Sequence, residues 1–123
     1  MFSHIMIGAN DIEASRKFYD AALGALGHPT GIVDPKGRYF YLAGGNIFAI
    51  TAPLNKEPAT SANGGTIGFA APNPEAVDAW YAAGHANGGT ACEDPPGPRA
   101  NGMYVAYLRD PSGNKTCAVH RGG

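Results

Sequence analysis

An internal repeat is the feature of this sequence that most constrains its fold. Residues 4–21 and 66–83 align without gaps, and six of the 18 aligned positions are identical. The identical pairs are Ile5/Ile67, Ala9/Ala71, Glu13/Glu75, Ala14/Ala76, Tyr19/Tyr81 and Ala21/Ala83. In both copies a short stretch with the alternation of a strand leads into a helical pattern of apolar residues. The sequence therefore predicts a duplicated unit and two related modules.

The first module reads as strand, helix and three further strands. Residues 4–9 alternate as a strand does, and Asn10 followed by Glu13 resembles a capping box at the start of a helix that runs to about Ala22. Glycine at positions 24 and 27 can end this helix. Three short strands are then predicted, at residues 31–33, 38–42 and 47–51. The order is βαβββ.

The second module repeats this order. Residues 66–71 form the predicted strand, Asn73 caps the helix, and Pro74 occupies the first helical position, where its missing N–H costs nothing. Strands are predicted at 90–93, 103–108 and 115–119, with a proline-rich loop at 94–102. We expect one domain over residues 1–123, made of module 1 (about 3–52), a connector (53–65) and module 2 (about 66–120).

Composition excludes several function classes. Nine lysines and arginines are scattered along the chain and offset by ten acidic residues, so no nucleic-acid partner is expected. No apolar stretch approaches the roughly 20 residues of a membrane span, and the N-terminus lacks the basic region of a signal peptide. The two cysteines, Cys92 and Cys117, show neither CxxC spacing nor the density of a disulfide scaffold. We expect a cytoplasmic protein without a membrane partner.

Three motifs carry a resemblance to a known family. They are His4-Ile5-x-Ile7, Asp11-Ile12-x-x-Ser15-x-x-Phe18-Tyr19 and the turn Asp110-Pro111-x-Gly113-Asn114. Together with the paired βαβββ units they resemble the vicinal oxygen chelate superfamily. That superfamily contains glyoxalase I, extradiol dioxygenases, methylmalonyl-CoA epimerase, fosfomycin-resistance enzymes and bleomycin-resistance proteins. The resemblance covers nearly the whole chain.

The resemblance implies an α+β fold of two tandem βαβββ modules with strand order 1-4-3-2 in each. The helices would lie on the convex faces, and the curved mixed sheets would form a partly open pocket. Strand alternation supports this division, because alternate side chains point to opposite faces. Ile5 and Ile67 would face the helices, whereas His4 and Thr66 would face the pocket.

Metal-dependent members carry one ligand on the first and one on the last strand of each module. The resemblance places His4, Ala49, Thr66 and Cys117 at these four positions. Alanine cannot coordinate a metal, and a neutral threonine hydroxyl is a poor ligand beside imidazole or carboxylate. His4 is the only strong candidate ligand. We therefore expect no cofactor; a divalent metal is disfavoured but not ruled out by the sequence.

The remaining candidates are residues expected to line the pocket. His4 is a candidate general base, and Cys117 a candidate nucleophile. Tyr39, Tyr41 and Tyr107 form a predicted aromatic wall, whose hydroxyls, with the Thr66 side chain, would meet a substrate. Arg99, in the proline-rich loop, is placed to meet an anionic group at the pocket mouth.

Two functions remain open at this point. One is a glyoxalase-like enzyme, of lyase or dioxygenase type, that acts on a small oxygenated metabolite with a degenerate metal site centred on His4. The other is a metal-free, non-catalytic protein that binds or sequesters a small molecule, as bleomycin-resistance proteins do. Both predict a homodimer, because members of the superfamily commonly pair modules within or between subunits.

Overall fold

A computed structural model describes residues 1–122 and confirms the α+β fold of two βαβββ modules. Module 1 contains β1 (Ile5–Gly8), α1 (Ile12–Ala25), β2 (Ile32–Val33), β3 (Tyr39–Ala43) and β4 (Asn46–Thr51). Module 2 contains β5 (Ile67–Ala70), α2 (Pro74–Ala86), β6 (Thr90–Ala91), β7 (Gly97–Pro98), β8 (Tyr104–Arg109) and β9 (Lys115–His120). Within residues 1–122 neither helix is long and apolar enough to cross a membrane.

Each module contributes one mixed sheet. Sheet A has the order β1-β4-β3-β2 and sheet B the order β5-β9-β8-β6, which is the predicted order 1-4-3-2 in both cases. The first strand pairs in parallel with the last, and the other pairs are antiparallel. The proline-rich stretch predicted as a loop adds one feature. Its residues 97 and 98 form β7, a two-residue strand that pairs with β8.

Helix α1 begins one residue later than predicted. Its cap is Asp11, whose side chain accepts a hydrogen bond from the Ala14 N–H at 3.1 Å. The Asn10 side chain instead binds the connector, accepting from the Ala59 N–H at 2.7 Å and donating to the Ala59 carbonyl at 3.3 Å. Asn73, the predicted cap of α2, accepts from the Ala76 N–H at 2.8 Å. Asn10 therefore anchors the connector to module 1.

One hydrophobic core serves both modules. Helices α1 and α2 pack on each other, and the faces of the two sheets that carry Phe48 and Phe69 close over them. Tyr19 lies between the modules, with its ring centroid 4.8 Å from that of Phe48 and 6.4 Å from that of Phe69. Trp80 is fully buried on α2. The opposite face of each sheet is left outside this core, and we call these the outer faces.

The helices approach closely because α2 has a glycine at the contact. A Cβ atom on Gly84 would lie 2.6 Å from Leu108 Cδ1 and 3.0 Å from Phe18 Cε1. Both of these side chains are fully buried. In contrast, a Cβ on Gly24 of α1 would meet no atom within 4 Å. Glycine at position 84 is thus required by packing, whereas glycine at position 24 is not.

The turn between β8 and β9 joins module 2 to module 1. Asp110 is 3% exposed and accepts a hydrogen bond from the Tyr19 hydroxyl at 2.6 Å. It also accepts from the backbone N–H groups of Ser112 and Asn114 and from the Asn114 side chain, each at 2.9 Å. Asn114 Nδ2 donates in addition to the Gly8 carbonyl at 2.9 Å. This buried network links the turn to α1 and to β1.

Candidate functional site

The strand register assigns the sequence-predicted residues to faces. On sheet A, Met6 lies opposite Ala49, and Ala49 lies opposite Phe40, so these three side chains share the outer face. On sheet B, Gly68 lies opposite Cys117. His4 and Thr66 each precede β1 and β5 by one residue and are exposed. Alternation along the strand places both on the side of the outer faces, although His4 lies at the end of sheet A, where it also borders the cleft described below.

The four positions that hold ligands in metal-dependent relatives can now be compared between modules. Ala49 and Cys117 occupy equivalent places, since each is paired with the second residue of its module's first strand. The outer faces therefore present His4 and Ala49 from sheet A, and Thr66 and Cys117 from sheet B. The assignment of these positions does not depend on the length of either hairpin turn.

This donor set does not fit a four-ligand divalent centre. Ala49 has no donor atom, and the Thr66 hydroxyl is neutral. Burial raises the pKa of the Cys117 thiol to about 11, which opposes the thiolate form that a metal requires. Among residues 1–122, no group of three or more His, Cys, Asp or Glu side chains is placed to hold a metal ion. We derive no chemistry through a metal.

The predicted placement of Tyr39 and Tyr41 on the same sheet face as Ala49 is wrong. Both side chains face α1 instead, where the Tyr39 hydroxyl donates to Glu13 at 3.0 Å. The Tyr41 hydroxyl donates to Asp20 at 2.9 Å, and the residue is 3% exposed. Desolvation, followed by the hydrogen bond to Asp20, raises the pKa of Tyr41. These two tyrosines fasten α1 to sheet A. Tyr41 still lines a cleft between the sheets, and the substrate contacts of both tyrosines stay predictions.

The cause is a shift of one residue between the two hairpins. The prediction grouped Tyr41 with Tyr107 in one aromatic wall, which requires the two residues to occupy equivalent positions in their hairpins. In the structure Tyr107 lies opposite Cys117 and Phe40 lies opposite Ala49, so Phe40 is the equivalent of Tyr107. A shift of one residue moves a side chain to the other face of a sheet. The β3–β4 turn has two residues and the β8–β9 turn has five, so aligning the turns did not fix the register.

Tyr107 and Arg99 have different surroundings. Tyr107 lies on the outer face of sheet B as predicted, with Lys115 Nζ 4.9 Å from its ring centroid. The Arg99 guanidinium donates to the carbonyls of Gly97, Asp94 and Pro95 at 3.0, 3.3 and 3.1 Å. Arg99 therefore holds its own loop in shape. Its predicted contact with a substrate stays a prediction.

A cleft between the two sheets is bordered by His4, the first candidate site residue that the sequence suggested. This inter-sheet cleft has a volume of about 790 Å³ and is bordered by β1, β5, the β3–β4 turn and the end of α1. Its apolar wall includes Ile5, Leu23, Phe48, Ile67 and Phe69, which belong to α1 and to the sheet faces that pack on the helices. Thr66, Cys117 and Tyr107, which were predicted to line the pocket, do not line this cleft. Its polar groups include His4, His28 and Asn46. Its volume lies in the range of about 300–1,000 Å³ usual for small-molecule sites.

Within the cleft, His4 is exposed and its Nδ1 lies 2.7 Å from Ser3 Oγ. His28 was not among the predicted site residues, but it lines the same cleft. The missed signal was position: His28 follows Gly27 just beyond the end of α1 at Ala25, and its N–H donates to the Leu23 carbonyl at 3.1 Å. His120 faces away from the outer face, with its Nδ1 3.2 Å from the Ala71 carbonyl oxygen.

The family model for the glyoxalase/bleomycin resistance protein/dioxygenase superfamily matches residues 1–118. The chain belongs to this superfamily. It is 59% identical to a glyoxalase/bleomycin resistance protein from Albidiferax ferrireducens T118, whose crystal structure superimposes with a TM-score of 0.94 and coverage of 98% of both chains. The resemblance drawn from the three sequence motifs is thus confirmed.

Other members of the glyoxalase/bleomycin resistance superfamily share the fold at lower identity. A family enzyme from Burkholderia phytofirmans PsJN is 23% identical, with a TM-score of 0.75 and coverage of 96% of both chains. Lactoylglutathione lyase from Agrobacterium tumefaciens is 23% identical, with a TM-score of 0.69 and coverage of 98% of this chain and 92% of that one. No protein of curated function matches the chain.

Proposed function

We propose that this glyoxalase/bleomycin resistance superfamily protein binds a small oxygenated metabolite in the inter-sheet cleft and does so without a four-ligand metal centre. The observation that carries the proposal is the cleft itself. It joins an apolar wall to the imidazole of His4, the one family ligand position that keeps a strong donor in this chain. An apolar cleft with a few convergent polar groups is the usual form of a ligand site.

The side chains of the cleft suggest how such a ligand would lie. Phe48 and Phe69, with ring centroids 5.1 Å apart, would contact its carbon skeleton. His4 would hydrogen-bond to a carbonyl or hydroxyl oxygen at the open end, because neutral imidazole both donates and accepts. Cys117 is a poor candidate for covalent chemistry, since a thiol with a pKa of about 11 is almost wholly protonated at neutral pH. These features favour binding over nucleophilic catalysis.

An NMR titration tests the proposal. Lactoylglutathione, lactate and pyruvate are the probes, and the readouts are the His4 imidazole signals and the backbone amides of Ile5 and Phe69. We expect shifts confined to the cleft, and binding weakened about tenfold in His4→Ala, the loss expected for one hydrogen bond of about 1.4 kcal/mol. The control His85→Ala removes an exposed imidazole on α2, outside the cleft, and should bind normally.

The same samples test the second candidate, a glyoxalase-like enzyme in which His4 acts as a general base. The retained histidine at a family ligand position favours it. The fold of the lactoylglutathione lyase from A. tumefaciens makes lactoylglutathione a reasonable compound to assay. Conversion of a probe that is lost in His4→Ala and kept in His85→Ala would establish the enzyme. Unchanged affinity in His4→Ala, or shifts only outside the cleft, would rule out the proposed site.

We also propose that the protein forms a homodimer through the outer face of sheet A. This face is mainly apolar, since it exposes 59% of Ile32 and 48% of Leu42 beside Phe40 and Ile47, with the Arg38 guanidinium 5.5 Å from the Phe40 ring centroid. A contiguous apolar surface on a sheet is characteristic of an interface. A second copy is the occupant we propose. The two free cysteines, Cys92 and Cys117, support a cytoplasmic location for the protein.

Sedimentation equilibrium of Ile32→Lys tests the dimer, because Ile32 lies on this face and does not line the inter-sheet cleft. We expect the natural sequence to be a dimer at micromolar concentration, and the lysine to raise the dissociation constant at least tenfold because it would place a charge in an apolar contact. Leu54→Lys is the matched control, since Leu54 is 98% exposed in the connector and lies on neither sheet. A strict monomer of the natural sequence would refute the dimer.

A further inference from the structure

The structure contains a second cavity, separate from the cleft, whose lining is positively charged. It has a volume of about 410 Å³ and lies between the turn at residues 61–66 and the ends of β8 and β9. Arg109 and Lys115 line it, and none of the residues that line it is acidic. We call it the glycine-turn pocket, because Gly64 and Gly65 form the opposite wall.

Arg109 and Lys115 are an unusual pair. They lie directly opposite each other on neighbouring antiparallel strands, at the register Arg109↔Lys115. Like charges at such a position destabilise a sheet by several tenths of a kcal/mol. Lys115 is paired with Glu93, whereas Arg109 forms no ion pair with a described residue and donates a hydrogen bond to the Gly113 carbonyl at 2.7 Å. An anion between the two cations would remove the repulsion.

The electrostatic environment of Glu93 also indicates a surplus of positive charge at this pocket. The hydrogen bond from Lys115 holds the pKa of the Glu93 carboxyl below its usual range, and the positive charges of Arg99 and Arg109 add to the effect. One carboxylate therefore lies within the field of three cations. The group keeps a positive balance even with Glu93 ionised, and this balance suits a ligand that carries one or two negative charges.

The opposite wall is made of backbone. Ala62 and Gly64, on either side of Asn63, both have positive φ, of 50° and 99°. The Gly65 N–H closes the turn by donating to the Ala62 carbonyl at 2.7 Å, which leaves the N–H groups of Asn63 and Gly64 as the backbone donors that such a turn can direct toward an anion. A positive φ is uncommon for alanine and marks a backbone held in place by its surroundings. A Cβ on Gly64 would meet no atom within 4 Å, so the space in front of the turn is open.

We propose that the glycine-turn pocket is an oxyanion site that binds the phosphoryl or carboxylate group of a small molecule through Arg109, Lys115 and the turn at residues 62–65. The Arg109 guanidinium supplies the planar donor pair that matches such a group, and Lys115 supplies a point charge. Thr66 adds a hydroxyl at the rim. Glu93 acts as an internal competitor, since the incoming anion must share or displace it on Lys115. The proposal does not depend on ligand binding in the inter-sheet cleft.

The test is an NMR titration of the full chain with inorganic phosphate, and separately with acetate, at constant ionic strength set by chloride. We expect saturable amide shifts at Asn63–Thr66, Arg109 and Lys115. A stronger response to phosphate would assign a phosphate ester, and a stronger response to acetate a carboxylate. Both results support an oxyanion site. An absence of saturable shifts, or shifts of equal size with added chloride alone, would overturn it.

Variants with opposite expected effects sharpen the test. The double variant Arg109→Gln/Lys115→Gln should weaken binding at least tenfold, whereas Lys17→Gln/Lys36→Gln removes the same charge from exposed positions elsewhere and should change it less than twofold. Glu93→Gln should tighten binding about threefold to tenfold, because it removes the competitor without removing a donor. If Glu93→Gln weakens binding, or both double variants weaken it equally, the proposal fails. Shifts at the cleft residues report the other site separately.

Discussion

Asp110→Ala is expected to lower the free energy of unfolding by about 3–5 kcal/mol. The carboxylate is 3% exposed and accepts four hydrogen bonds, among them one from the Tyr19 hydroxyl across the junction between the modules. Its removal leaves buried donors without an acceptor. Each such donor costs about 1–3 kcal/mol. Urea unfolding followed by the fluorescence of Trp80, the single tryptophan, measures the loss.

The matched control is Asp94→Ala. Asp94 is an exposed aspartate in the proline-rich loop, and its part in holding Arg99 is made by its backbone carbonyl. The substitution should change the free energy of unfolding by less than about 0.5 kcal/mol. A loss below about 1 kcal/mol for Asp110→Ala would mean that the turn does not stabilise the junction.

Tyr19, at the same junction, should make the free energy of unfolding decrease at alkaline pH. Burial, followed by the negative charge of Asp110, raises the pKa of Tyr19 well above the 10.0 of a free phenol. Folded Tyr19 therefore keeps its proton where unfolded Tyr19 loses it, and stability falls as the pH rises above about 10. Each such phenol contributes a slope of about 1.4 kcal/mol per pH unit. In Tyr19→Phe the loss of stability between pH 10 and 11 should be smaller by about 1 kcal/mol, because the unfolded phenol is only half ionised at pH 10.

Gly84→Val is the second substitution for which we expect a large effect, a loss of about 3 kcal/mol in the free energy of unfolding. Its first added atom already lies 2.6 Å from Leu108 Cδ1 and 3.0 Å from Phe18 Cε1. Both neighbours are fully buried and cannot move aside without displacing others. Helices α1 and α2 would have to separate. Thermal unfolding should show the melting temperature falling by more than 10 °C.

Gly24→Val is the matched control, because it makes the same glycine-to-valine substitution in α1. Gly24 is also helical, but its added Cβ would meet open space. The expected change is within about 0.5 kcal/mol, because valine is slightly better than glycine in a helix interior. Similar losses in the two variants would show that helix propensity, and not the contact between the helices, decides the effect at position 84.

The architecture could be predicted from the sequence because it depends on local patterns that recur. The alternation around Ile5 and Ile67 and the helical spacing before Phe18 and Trp80 appear in both halves of the chain. Because both patterns recur at the same spacing in the second half, they support the βαβββ assignment more strongly than either half would alone. The strand order followed from the family resemblance, and the two sheets confirm it. The predicted equivalence of Ala49 and Cys117 also agrees with the strand register, and it explains why the donor set lacks a ligand in module 1.

The details of the site depended on features that local patterns do not contain. Tyr39 and Tyr41 were assigned to the wrong face because the two hairpin turns differ in length. Asn10 and Asp11 are both good caps, and contact with the distant residue Ala59 decides which of them caps α1. The glycine-turn pocket unites residues 61–66 with the β8–β9 hairpin. Proximity of that kind arises only from the folded chain.

The shared core implies that the two duplicated modules depend on each other for stability. In solenoid repeats each unit contacts only its neighbours, and stability is roughly a sum over units. Here Tyr19 of the first module packs between aromatic rings from both modules and is bonded to Asp110 of the second. Opening one module would expose the aromatic rings that pack on Tyr19 and break its bond to Asp110. We therefore expect the two modules to unfold together in one cooperative transition, although the sequence pattern is modular.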